Sequence, residues 1–168
     1  MTLLVLGGAR SGKSRYAQER CEAVPGRLVY IATAQAFDSE MTERIARHRG
    51  ERGARWSTIE APLDLAGAIG EAAGQGDAIL IDCLTLWLSN LLLAGTDMAT
   101  ARAGLIDGVA ACPVPVISVA NEVGFGIVPD NALARRFRDE AGWLNQDMAA
   151  LCREVVLVAA GLPLTLKA

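Results

Sequence analysis

An α/β fold with a mostly parallel central sheet is predicted by three features of this 168-residue chain. Short β-rich runs alternate with amphipathic segments of helix length, as a chain of βαβ units requires. The runs are apolar at nearly every position rather than at every second one, which suits strands covered on both faces. A glycine-rich turn, "GGARSGKS" at residues 7–14, joins the first run to the first helical segment.

"TLLVL" at 2–6 is the first strand, and Gly7-Gly8 breaks it. Lys13–Ala23 reads as the helix that follows, ended by Pro25-Gly26. "RLVYIAT" at 27–33 is the second strand. In the next helix, Asp38–Arg49, Asp38 or Ser39 can act as the cap and Glu40 sits in the first turn. "STIEA" at 57–61 reads as an edge strand and Pro62–Ala73 as a helix, closed by the turn Gly74–Asp77. "AILID" at 78–82 is the next buried run, before helices Leu84–Leu93 and Thr96–Ala111 and the break at Pro113. "PVISVA" at 115–120, the helix Asn131–Arg153, "EVVLVAA" at 154–160 and a possible edge strand "LPLTLK" at 162–167 complete the chain. No repeat or linker divides it, so 1–168 is expected to be a single domain.

Composition narrows the function. Hydrophobic residues make up 52% and charged residues 21%, with a net charge of −3, the profile of a soluble globular protein without a general nucleic-acid footprint. Cys21, Cys83, Cys112 and Cys152 lie far apart and form no C-x-x-C pair, so neither zinc nor a disulfide framework is indicated and a cytoplasmic location is expected. No targeting segment or membrane anchor is expected either, since "CLTLWLSNLLLAG" is too short and too polar to span a bilayer.

"LGGARSGKS" fits G-x-x-x-x-G-K-[ST], with Gly7, Gly12, Lys13 and Ser14 at the required spacing between a strand and a helix. Phosphate oxygens need several donors converging on a small volume. Glycines let backbone N–H groups approach, and the helix N-terminus adds a favourable dipole. Residues Gly7, Gly8, Ala9, Arg10, Ser11, Gly12, Lys13 and Ser14 are therefore expected to cradle the phosphates, Lys13 reaching the β- and γ-groups and the Ser14 hydroxyl binding Mg²⁺. The motif and the strand pattern together predict a P-loop NTPase (RecA-like) three-layer fold. The acid that completes the Mg²⁺ site is expected at the end of "AILID", at Asp82; the alternative is that Asp82 caps the following helix. Asp77, at the other end of that strand, reads as a turn residue. The carboxyl ends of the remaining strands select Thr33, Gln35, Glu60, Asn121 and Glu122 as crevice residues, each of which could equally be a loop or capping residue.

The single histidine, His48, stands among Arg44, Arg47, Arg49, Arg52 and Arg55. Met41, Ile45 and His48 share one helical face, which places His48 on the inward stripe. Two readings fit. His48 is a core-edge residue beside a solvated basic face, or it is a neutral nucleophile toward phosphorus, kept unprotonated by the guanidiniums. The same arginines would then bind pyrophosphate, and Gly50 and Gly53 would be hinges.

Five segments, "GGARSGKSRYAQ", "YIATAQAFDSEMTERIARHRGERGARWSTIEAP", "ILIDCLTLWLSNLL", "NEVGFGIVPDNALARRFRDEAGWLNQ" and "VVLVAAGLPLTLK", together resemble the bifunctional adenosylcobinamide kinase/adenosylcobinamide-phosphate guanylyltransferase family of cobalamin biosynthesis. The resemblance implies two reactions: phosphorylation of adenosylcobinamide by ATP or GTP, then transfer of GMP from GTP to adenosylcobinamide phosphate with release of pyrophosphate. It implies that His48 carries GMP covalently, and that Ala32, Thr33, Ala34, Arg49, Gly50, Glu51, Arg52 and Glu60 surround the nucleotide. It also implies Asp82 near Mg²⁺ and a homotrimer. The family often has glutamate where this chain has Asp82, a shortening expected to keep metal binding while shifting its geometry. Two rivals remain at this point: a P-loop kinase of another small alcohol, with His48 structural, and a nucleotide-gated switch or assembly factor.

Overall fold

The computed structural model describes residues 1–35 and 53–168. Its strands β1 (Thr2–Gly7), β2 (Leu28–Ala32), β3 (Trp56–Glu60), β4 (Ala78–Asp82), β5 (Val116–Asn121), β6 (Glu154–Ala159) and β7 (Leu162–Lys167) form one sheet in the order β3-β2-β4-β5-β1-β6-β7. Every neighbouring pair is parallel except β6–β7, an antiparallel hairpin. Both expected edge strands are edges. The expected helix Asp38–Arg49 lies outside the described residues.

The apolar runs divide by parity between two cores. Leu3, Val5, Leu28, Ala78, Leu80, Ile117, Val119, Val156 and Val158 face α1 (Lys13–Glu22), packing on Ala17 and Cys21. Leu4, Leu6, Val29, Ile31, Ile79, Ile81, Val116 and Val155 face the other way, toward α2 (Leu65–Ala73), α3 (Leu84–Leu93), α4 (Met98–Ala111) and α5 (Ala132–Leu151). Burial on both faces is why these strands lack alternation in sequence. Three helices start later than the spacing predicts because polar side chains take the first turn. Asp64 accepts from Gly67 N at 2.9 Å, Asp97 from Ala99 N at 3.3 Å and Asn131 from Ala134 N at 2.7 Å, so Pro62, Thr96 and Asn131 stay outside their helices.

At the amino edge of the sheet, Asp77 holds the turn before β2 by accepting from Arg27 N at 2.8 Å, as a turn residue should. The Arg55 guanidinium donates to the carbonyls of Glu22 at 2.8 Å and Val24 at 3.0 Å, closing the C-terminus of α1, where a cation suits the helix dipole. Arg55 therefore serves the edge opposite the glycine-rich turn, and the phosphate-binding role expected of it is corrected.

Candidate active site

The turn between β1 and α1 is shaped by contacts that a side chain would block. A Cβ on Gly7 would lie 2.5 Å from Ser11 Oγ and 2.6 Å from the Val158 carbonyl oxygen, so only glycine fits. Gly12 has φ +94°, in the left-handed region, and a Cβ there would lie 3.3 Å from Gly161 Cα. Gly8 has open space around it and carries no such constraint. Gly12 caps α1 without any side-chain hydrogen bond, so the first N–H groups of the helix are left without a side-chain cap, at the positive end of the helix dipole. Lys13 Nζ donates to the Gly8 carbonyl at 3.1 Å, which folds the ammonium over the turn. Ala9 and Arg10 are exposed, whereas Ser11 is buried with an Oγ that meets no hydrogen-bond partner.

Two neighbouring elements fix this turn from outside. Gly161 N, in the two-residue β6–β7 hairpin turn, donates to Ser11 O at 2.8 Å, and Glu122 N donates to Gly7 O at 3.2 Å. Ala160 and Gly161 both have positive φ, 51° and 79°, which matches the twist of a tight hairpin. The cradle is thus held between the end of β5 and the β6–β7 turn.

The register places the other candidates. Glu60, Ala32 and Asp82 stand level on β3, β2 and β4, and Asn121 stands opposite Gly7 on β5 and β1. Parity with the core puts Asp82, Asn121 and Gly7 on the face of the sheet that carries α1. Asp82 lies two strands from β1, roughly 10 Å at ordinary strand spacing, and Glu60 four strands away, roughly 19 Å. Glu60 thus lies farther from the turn than Asp82 does.

The cap of α3 is Cys83, whose Sγ accepts from Leu86 N at 3.4 Å, so Asp82 is not the capping residue. Burial, and then the Asp82 carboxylate, push the Cys83 thiol up to about 11, so it is a neutral cap and not a nucleophile at pH 7. Burial likewise raises Cys21 to about 12 and Cys152 to about 11. Among the described residues no group of three His, Cys, Asp or Glu side chains could hold a metal. Ser14, in the first turn of α1, and Asp82, at the end of β4, are oxygen donors of the kind Mg²⁺ takes, one or two from protein with the rest from phosphate and water.

Thr33 is fully buried and its groups are spent on scaffolding. Its Oγ1 donates to Cys83 O at 2.7 Å and accepts from Cys83 N at 2.9 Å, while its carbonyl accepts from Asn90 Nδ2 at 2.8 Å. That side chain locks the end of β2 to the residue after Asp82. Asn90 extends the lock by donating to Pro62 O at 3.0 Å, a role nothing in the α3 sequence signals. Ala34 and Gln35 are half-buried beyond β2. Glu122 takes the loop role, its Oε1 accepting from Gly124 N at 2.6 Å. Asn121 does not: Thr85 Oγ1 accepts from its N–H at 2.6 Å and Asn145 Nδ2 reaches its carbonyl at 3.4 Å, yet its buried Oδ1 has no partner among the described residues. His48, Arg49, Gly50, Glu51 and Arg52 lie outside the described residues.

Comparison with known proteins places these features. A family model described as cobinamide kinase / cobinamide phosphate guanyltransferase matches residues 3–166. The bifunctional adenosylcobalamin biosynthesis protein CobP of Pseudomonas aeruginosa is 51% identical over 167 residues, covering 98% of this chain and 96% of its own length. The corresponding CobU protein of Salmonella typhimurium is 42% identical over 182 residues, 99% of this chain and 100% of its own. Among solved structures, the flagellar accessory protein FlaH from Methanocaldococcus jannaschii aligns with a TM-score of 0.56 at 11% identity, covering 99% of this chain and 77% of that one. The P4 protein from bacteriophage phi6 in complex with ADP aligns with a TM-score of 0.51 at 17% identity, covering 96% and 52%. At such identities these two likenesses concern the fold alone.

Proposed function

The chain belongs to the cobinamide kinase / cobinamide phosphate guanyltransferase family, and from that premise we propose how its two reactions are divided among its residues. The enzyme is a bifunctional transferase of cobalamin biosynthesis. The preformed cradle of Gly7–Ser14, with an uncapped helix N-terminus behind it, is the observation that carries the assignment of the phosphate site.

In the kinase reaction, the alcohol oxygen of adenosylcobinamide attacks the γ-phosphorus of ATP or GTP and the bond to the bridging oxygen breaks. Lys13 and the turn N–H groups hold the charge that develops on the phosphates. Ser14 and Asp82 would hold Mg²⁺, which neutralises phosphate charge when bound. Asn121 lies between the cradle and Asp82, and its Oδ1 accepts a hydrogen bond from the attacking hydroxyl, orienting it, while the hydroxyl proton passes to a phosphate oxygen as the new P–O bond forms.

In the guanylyl transfer, His48 attacks the α-phosphorus of GTP. An N–P bond forms as the P–O bond to pyrophosphate breaks, and the imidazole loses its other proton. An oxygen of adenosylcobinamide phosphate then attacks the same phosphorus, and His48 leaves as a neutral imidazole by taking a proton back from solvent. Arg49 and Arg52 neutralise the departing pyrophosphate, while Gly50 and Glu51 line the nucleotide with Ala32 and Ala34. Glu60, level with Asp82 but two strands farther from the cradle, suits the ribose or guanine end. We place this single-domain enzyme in the cytoplasm, where its four unpaired thiols stay reduced, as a homotrimer like the family it resembles.

GTP labelled at the α-phosphorus tests the covalent step. The protein should acquire acid-labile, alkali-stable label, lost in His48→Ala and in Lys13→Ala, and His48→Ala should retain more kinase than transferase activity. Equal labelling of His48→Ala would sink the covalent mechanism, and equal loss of both activities would make His48 structural.

A further inference from the structure

The loop that leaves β5 exposes three large apolar side chains where a solvated loop would carry polar ones. Phe125 is 85% exposed, Ile127 97% and Val128 64%. The segment is nonetheless held at both ends: Glu122 accepts from Gly124 N at 2.6 Å, and Arg135 Nη1 donates to Pro129 O at 2.9 Å and Asp130 O at 2.8 Å. Asn131 then caps α5. Those anchors use polar groups on backbone while leaving the apolar side chains outward, so the loop is shaped to present them.

Its position limits what it can meet. Glu122 N is bonded to the Gly7 carbonyl, so the loop starts at the rim of the phosphate cradle. Three residues of chain keep Phe125 within about 11 Å of Glu122. Any acceptor whose hydroxyl or phosphate reaches the cradle from this side passes the loop.

We propose that Phe125, Ile127 and Val128 seat the corrin macrocycle of the cobinamide acceptor while its tethered hydroxyl, and later its phosphate, enters the nucleotide site. The proposal rests on the family reading above, which supplies the acceptor. A corrin is a broad ring rimmed with methyl and amide groups, and its apolar face needs an apolar platform outside the narrow cradle. The three side chains bare on the order of 400 Å², within the range of patches that are often functional on a monomer. That area falls well short of the roughly 800 Å² that each partner commits to a stable protein interface. The glycines flanking Phe125, Gly124 and Gly126, leave the ring unobstructed, with open space at Gly126.

Steady-state kinetics of the kinase reaction, with cobinamide varied at saturating GTP, test the proposal in Phe125→Ser, Ile127→Ser and the double variant. Because these side chains contribute little to the core, the variants should fold. The KM for cobinamide is expected to rise on the order of tenfold per site, with the KM for GTP and the solution mass unchanged. Leu166→Ser, exposed to 54% on β7 and beside Lys167, which pairs with Val155 at the opposite edge of the sheet, is the control and should leave both KM values alone. An unchanged cobinamide KM overturns the proposal. So does a fall in solution mass, which would make the patch a contact between copies of the chain. A wild-type protein that phosphorylates no cobinamide would instead sink the functional reading, and the platform with it.

Discussion

At Asn121 an amide oxygen is buried with no partner, an arrangement that ordinarily costs about 1–3 kcal/mol. Removing it leaves no orphaned group behind, so Asn121→Ala should change the melting temperature little or raise it. The same substitution should lower kcat of the kinase reaction on the order of 10- to 100-fold with the nucleotide KM nearly unchanged, because it removes orientation and not binding. A variant that is destabilised by several kcal/mol but keeps its kcat would make Asn121 a packing residue. Sequence alone named Asn121 and Glu122 together as strand-end residues. It gave no means of separating them, since the difference lies in which backbone group each side chain meets. Thr33 and Arg55 show the same limit. Both are polar and near candidate sites in the chain, and both are consumed by carbonyls or amides brought close only by folding: Cys83 for Thr33, Glu22 and Val24 for Arg55. Gly7 and Gly12 were legible as the glycines of the turn because the motif fixes their spacing locally.

In the proposed function helix α1 holds its N-terminus against the phosphates, and its far half is tied to β6 by an ion pair. Arg20 Nη1 and Nη2 each donate to a Glu154 carboxylate oxygen at 2.7 Å, a bidentate pair that is less than one-third exposed. The hydrogen bonds from Arg20 hold the Glu154 carboxyl below its usual value. Its folded pKa is depressed, so the stabilisation is present in full above the unfolded value of about 4.3 and is lost as pH falls through the lower folded value. Glu154→Gln should therefore melt lower than wild type at pH 7 by the equivalent of about 1 kcal/mol, a few degrees for a domain of this size. The gap between the two proteins should close below about pH 4. Thermal melts of both across pH 3–7 check this, and a gap independent of pH would exclude the linkage. Among the described residues the elements were legible to within a few residues because both sheet faces are buried and α2, α4 and α5 carry polar caps. Residues 162–167 were legible as an edge strand, but neither their antiparallel return on β6 nor the turn's clamp on Ser11 was, because that contact joins residues 11 and 161.

Across the molecule, the fold holds its nucleotide cradle from several sides before any ligand arrives. β5 latches Gly7 through Glu122, the β6–β7 turn latches Ser11 through Gly161, and the Thr33–Asn90 lock sets the strand end beside Asp82. These contacts reach residues distant in the chain, so phosphates bound in the cradle engage a site that only the folded sheet assembles. Binding to the folded state alone stabilises it by RT ln(1 + [L]/Kd), about 2.7 kcal/mol at 100 times Kd. For a domain of this size that corresponds to a rise of roughly 5–11 °C in melting temperature. GTP with Mg²⁺ should produce this rise in wild type. Lys13→Ala should abolish most of it while melting near the wild-type temperature without nucleotide, since among the described residues the Lys13 Nζ bond is an exposed one to Gly8 O. Gly7→Ala should melt low with or without nucleotide, because its Cβ would meet Ser11 and the Val158 backbone. Scanning calorimetry of the three proteins separates the ligand contribution of the cradle from its structural one. A full GTP shift in Lys13→Ala would place the triphosphate elsewhere on the molecule.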